Sequence, residues 1–178
     1  MSNTSVGAAR DHTNEIRRLS TLLEVSQALS GVLNLKAALQ SVLDLLERRH
    51  QVVGGTVFIL DQETRELHTD ATVGTRLAAP RARTRPGDSI TERVIDTGKP
   101  VVVPRVSQEP ALASAAGERA RGRELTYLAV PIAVGRRPGG TLEVVLTFKQ
   151  DRDYQRSLEF YRVVASMKIG RASCRERV

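Results

Sequence analysis

Aromatic residues are scarce in this chain. Its 178 residues include three Phe, three Tyr and no Trp. Any core must therefore be aliphatic, built from Leu, Val, Ile and Ala. Cysteine is almost absent as well, with Cys174 standing alone. One thiol closes no internal disulfide and supplies no Cys-based metal or redox site. No apolar run approaches the roughly 20 residues of a membrane helix. Met1–Arg10 also lack the apolar centre of a signal peptide, so no membrane partner is expected and the location is read as cytoplasmic. No Gly-Lys-Ser or Gly-Lys-Thr phosphate loop occurs, which excludes a P-loop motor within this stretch. The histidines His12, His50 and His68 are not at ligand spacing, so neither a metal nor a cofactor is expected. Asp61 and Glu63 fall in a turn, where carboxylates cap the backbone. No nucleophile, base and orienting group form a set, so no catalytic residues are expected and the chain is not read as an enzyme.

Turning to what is present, 40% of the residues are apolar, as in a globular fold, and the length suits one domain with its own core. The net charge is +7. It is dispersed, without aromatic interleaving or a dense Lys/Arg helix, so no nucleic-acid partner is expected. The ten residues Ile169–Val178 break the pattern that precedes them. They match one reading frame of a common sequencing adapter and are set aside from the fold as a non-native tail. The tail holds Cys174, and its three Arg and one Glu contribute +2 of the net charge.

Periodicity orders the rest. Residues 1–17 are small and polar and are expected to be disordered. Ile16, Leu19, Leu22, Leu23, Ser26 and Leu29 recur at helical spacing up to Gly31. Asn34 is placed to cap a second helix with Leu35, Ala38, Leu39, Val42, Leu43 and Leu46 on one face. Thr56–Leu60 and Glu66–Val73 read as a hairpin. Asp88 or Ser89 caps a short helix through Ile90, Val94 and Ile95, closed by Gly98 and Pro100. Val101-Val102-Val103 reads as a buried strand. Leu125–Val134 and Thr141–Phe148 read as strands around a Gly135–Gly140 turn, and a last helix starts near Asp153. Hairpins without strand-helix-strand alternation predict an α+β domain. Its antiparallel sheet has about five to six strands, with the terminal helices packed on one face. Two long loops, 74–89 and 105–124, cover the other face, where an aliphatic sheet roofed by loops can hold a small molecule.

The stretch Arg85–Pro104, with Leu60-Asp61, Arg65-Glu66-Leu67 and Tyr127–Ile132, resembles the signature of GAF domains. The opening Leu22–Ser30 and the segment Phe160–Met167 resemble the N-terminal GAF domain of nitrogen-fixation, enhancer-binding transcriptional activators. The resemblance spans residues 18–168. It implies a signal-sensing domain that binds a small effector or a protein partner and controls an ATPase domain located elsewhere in a longer regulator. Ser89 and Glu92 depart from the usual Gly of that subgroup, and Arg105 from a common Asp. A GAF sensor of a histidine kinase or of a cyclic-dinucleotide enzyme is the alternative. A methionine-sulfoxide reductase of the same fold would need redox cysteines.

Arginines lie in or beside the two loops: Arg83, Arg85, Arg105, Arg119, Arg121 and Arg123. A guanidinium can grip a carboxylate with two hydrogen bonds. Arg85, Arg105, Arg123 and Tyr127 are therefore the candidate ligand residues, for an anion resembling 2-oxoglutarate. The resemblance points the same way. Leu19, Leu22, Leu29 and Leu33 on the first helix, with Leu23 and Val25 left over, and Leu158, Tyr161, Val164 and Ala165 on the last, predict a homodimer through terminal helices.

Overall fold

The computed structural model describes residues 3–30, 34–61, 63–77, 89–116, 122–134 and 137–167. Helix α1 runs Asn3–Ser30 and helix α2 Leu35–His50. Residues 3–17, expected to be irregular, are thus helical. The later part of α1 is anchored, with Thr21 and Val25 fully buried. Once that turn is fixed, each added residue gains one hydrogen bond, so the helix can propagate back through a polar stretch. Asn34 caps α2, accepting a bond from the Ala37 amide at 3.2 Å. Arg48 and Arg49 lie in the last turn of α2, where positive charge suits the carbonyl end of the helix. Its buried face carries the expected aliphatic residues and Leu45.

Strands β1 (Val52–Leu60) and β2 (Leu67–Gly74) form the first hairpin, antiparallel as expected. Asp61 caps its turn, its carboxylate accepting bonds from the Glu63 and Thr64 amides at 2.8 and 3.1 Å. Helix α3 (Ile90–Thr97) ends on Gly98, whose φ of 64° is the left-handed conformation that favours glycine. Strand β3 (Val101–Val103), a 3-10 turn (Val106–Gln108) and helix α4 (Pro110–Ala116) follow. Strands β4 (Leu125–Val134) and β5 (Arg137–Thr147) form the second hairpin, and helix α5 (Tyr154–Ser166) closes the chain, capped by Asp153.

These strands make one five-stranded antiparallel sheet in the order β2-β1-β5-β4-β3. Two expectations are corrected. The segment Val101–Val103 is an edge strand and each residue is only partly buried, because β4 alone pairs with it. The second hairpin is tighter than read: Arg137–Gly140 belong to β5, with a register shift between Ile132 and Ala133 that accommodates Pro138. Gly140 lies where only glycine fits, since a Cβ there would sit 2.3 Å from the Phe58 carbonyl oxygen.

Alternation along β5 splits the core. Leu142, Val144 and Leu146 join Val57, Ile59, Leu128, Val130 and Ile132 under α1, α2 and α5. Val145 joins Tyr127 and Ala129 on the opposite face, under Ile90 and Val94 of α3, Val106 of the 3-10 turn, and Leu112 and Ala116 of α4. The second face, expected to be roofed by loops, thus has ordered helical cover. The expected α+β architecture is the observed one.

Candidate functional site

Strand register assembles a polar cluster on the α3 face. Thr56 of β1 lies opposite Glu143 of β5, which lies opposite Ala129 of β4. Two residues back along β5, Thr141 lies opposite Phe58 and Pro131. Tyr127 lies opposite Val145 and Val103. From above, the first turn of α3 lowers Thr91 onto this row. Its hydroxyl donates to Glu143 Oε1 at 2.5 Å, and the Thr141 hydroxyl donates to the same oxygen at 3.4 Å. Glu143 is only 3% exposed, and Tyr127 is fully enclosed.

Burial sets the electrostatics. It pushes the Glu143 carboxyl up to about 7, opposed by the hydroxyls of Thr91, Tyr127 and Thr141 and by the charge of Arg76, just beyond β2. Burial also raises the Tyr127 phenol well above its ordinary range, and the neighbouring Glu143 carboxyl adds to this. The Tyr127 hydroxyl feels that carboxyl but meets no partner at hydrogen-bond geometry among the described residues, so its donor is buried unused. The cluster offers a carboxyl that changes charge near neutral pH, an unused hydroxyl and several Thr hydroxyls, all shielded from water. Among the described residues no group of His, Cys, Asp and Glu could hold a metal, and no helix is long and apolar enough to cross a membrane.

The cluster takes in one of the described residues singled out from sequence, Tyr127. Arg105 is exposed, its guanidinium stacked 4.6 Å from the centre of the Phe148 ring. Arg123 is exposed too, next to Glu124, whose carboxylate accepts bonds from the Ser107 amide and hydroxyl. Arg85 lies outside the described residues, as do Arg83, Arg119 and Arg121. Glu143 was missed. Its signal was a lone acid at an inward position of an otherwise apolar strand, flanked by Leu142 and Val144.

On the opposite face, Leu22 and Leu29 pack partly buried against their own chain's core, and Val25 is wholly buried there. Val25 is therefore not left over for a partner, as the helical stripe suggested. The reason is that α2 and α5 both border α1. Leu19 is 58% exposed, between Ile16 at 66% and Leu23 at 61%. Leu33 lies outside the described residues.

Comparisons with known proteins agree with this architecture. The chain is 33% identical over 113 residues to a Nif-specific regulatory protein of Azospirillum lipoferum, covering 64% of this chain and 18% of that protein. It is 30% identical over 128 residues to the nitrogen fixation protein VnfA of Azotobacter vinelandii, covering 70% and 24%. The chain thus spans about a fifth to a quarter of the length of these regulatory relatives. Among solved structures, the A. aeolicus nlh2 GAF domain in an inactive state superposes with a TM-score of 0.76 at 21% identity, covering 92% of this chain and 99% of that one. Free methionine-R-sulfoxide reductase of Neisseria meningitidis superposes at 0.72 with 16% identity, covering 89% and 91%, which is likeness of fold alone. The family model for the GAF domain matches residues 32–166, and the chain belongs to that family.

Proposed function

We propose that this chain is the N-terminal sensory domain of a bacterial enhancer-binding transcriptional activator of the nitrogen-fixation type. It binds a small effector on the α3 face of the sheet and governs an ATPase domain of the same regulator; it does no chemistry itself. The observation that carries the reading is the enclosed Glu143, Tyr127 and Thr91 cluster, in a chain whose relatives are nitrogen-fixation regulators. Strand β4 gives the signal a route. Tyr127 faces the cluster, while Leu128 and Val130 on its other side share a core with Phe160, Tyr161 and Val164 of α5. The exposed Ile16, Leu19 and Leu23 stripe, spaced three and four residues apart, supports a homodimer through α1.

A chimera tests the reading. Residues 1–167 of this chain replace the matched stretch of the Azospirillum lipoferum regulator, and a reporter is read from an enhancer-dependent promoter. Output that changes with nitrogen supply is expected. Constant output, equal to that of a regulator with the stretch deleted, overturns it.

A further inference from the structure

We propose that Glu143 and Tyr127 recognise the amide-type edge of a small effector, an N–H donor beside an acceptor, and select against carboxylate anions. The inference rests on the sensory reading above and names the ligand class of that site.

Both groups cost the free domain stability. A carboxyl and a phenol buried among Val94, Ala129 and Val145 give up hydration. The contacts that meet Glu143 are neutral hydroxyls. The Tyr127 hydroxyl lies within reach of that carboxyl but has no partner at hydrogen-bond geometry among the described residues. Two buried hydroxyls of the opposite face are satisfied locally. Thr21 donates to the Arg17 carbonyl at 2.8 Å, and Ser157 to the Asp153 carbonyl at 2.8 Å. A leucine at 143 and a phenylalanine at 127 would suit an aliphatic core better. Groups held in a position that costs stability point to a function.

The pattern of offered atoms then defines the ligand. Thr91 and Thr141 both meet Oε1 of Glu143, so neither occupies Oε2. Oε2 can accept, and the Tyr127 hydroxyl can donate. A carboxamide or the edge of a nucleobase presents the complement: an N–H for the carboxylate oxygen and an adjacent carbonyl or ring nitrogen for the phenol. A dicarboxylate would instead bring like charge against Glu143 inside a dry site. The positions also suit a sensor. Thr91 stands on α3 while Glu143 and Tyr127 stand on the sheet, so an occupant that draws on Glu143 alters the bond that fastens the helix down.

Two measurements on the chain test this. The first is thermal unfolding of Glu143→Leu and Tyr127→Phe without ligand. Midpoints equal to or above the wild type are expected, whereas a fall of several degrees in both variants makes the cluster structural and overturns the proposal. The second is calorimetry with nicotinamide as carboxamide, adenine and cytosine as nucleobases, and 2-oxoglutarate as dicarboxylate. At least one of the first three should bind, with affinity falling about tenfold or more in each variant, as for loss of a buried hydrogen bond to a charged group. The arm that binds separates carboxamide from nucleobase. Binding of none of these three, binding unaffected by either variant, or binding of 2-oxoglutarate to the wild type that weakens in Glu143→Leu overturns the ligand class. The chimera's response to nitrogen supply is a separate readout, so the sensory reading can stand when this inference fails.

Discussion

The two faces of one sheet are built to different rules. Under α1, α2 and α5 the residues are aliphatic and interdigitated, and His50 reaches inward only at the edge. Its ring lies 4.5 Å from that of Phe160, and its Nε2 meets the Thr21 hydroxyl at 2.9 Å. Because that hydroxyl already donates to the Arg17 carbonyl, the imidazole Nε2–H donates to it, while burial and the nearby arginines disfavour its charged form. Under α3 and α4, by contrast, an acid is enclosed with hydroxyls and a phenol lacks a partner. The contrast lies within a single layer: one face packs a mainly aliphatic core, and the other encloses an acid and hydroxyls among its apolar residues.

The strongest way to break the comparison is to damage the aliphatic face. Leu43 is fully buried on the inner face of α2. Leu43→Ala should cost about 2–5 kcal/mol. For a domain of this size that lowers the melting midpoint by roughly 5–15 °C. A loss below about 1 kcal/mol, measured by urea unfolding, would place the main core elsewhere.

The polar face should respond with the opposite sign. Glu143 has its proton affinity raised in the fold to about 7, against an unfolded value near 4.5, by burial. The native state therefore binds more protons between those values, and stability falls as pH rises through that window. Tyr127 on β4 and Arg76 beyond β2 share the site's field, and neither changes this sign. Melts at pH 6 and pH 8 should differ by several degrees in favour of pH 6. Glu143→Leu should raise the pH 8 midpoint and flatten that difference. An unchanged slope in the variant contradicts the assignment.

His50 supplies a smaller effect on the acid side. Burial, then the charges of Arg18, Arg17 and Arg49, lowers its proton affinity from 6.5 to about 4. A depressed histidine stabilises the fold above its unfolded value, and that contribution is lost as pH falls from about 6.5 through 4. Glu143 and His50 thus oppose each other over most of this range, leaving Glu143 alone between about 6.5 and 7. In the Glu143→Leu background, melts at pH 7 and pH 5 should show the histidine loss by itself, a few degrees in size. His50→Gln should remove it.

The least effect on folding is expected from Leu19→Glu with Leu23→Glu, both on the exposed stripe of α1. The melting midpoint should move by less than about 2 °C, as is usual for surface substitutions. Sedimentation at tens of micromolar should shift from dimer to monomer. A wild-type chain that is already monomeric there ends the dimer proposal.

Much of this molecule was legible residue by residue. Asn34 and Asp153 cap helices where their spacing to the following apolar stripe placed them, and Gly98 ends α3. The strands of both hairpins followed from alternation and turn residues. Where reading failed, the missing information was not local. The three valines at 101–103 look like any buried strand, yet they lie at an edge. Residues 105–124 read as irregular with helical potential around Leu112–Arg121; the helix that forms is Pro110–Ala116, where Leu112 and Ala116 share a core with Val106, Tyr127 and Val145.

Sequence alone determined the alternation of β5: Thr141, Glu143 and Val145 on one side, Leu142, Val144 and Leu146 on the other. Tertiary structure decided what that alternation meant. The last strand in the chain does not extend the sheet outward but inserts between β1 and β4, so both its faces are covered. In an edge strand Glu143 would be an ordinary surface charge. In the centre, beneath Thr91, it loses its water, because burial depends on which distant segments pair with a strand and no window of sequence contains that pairing.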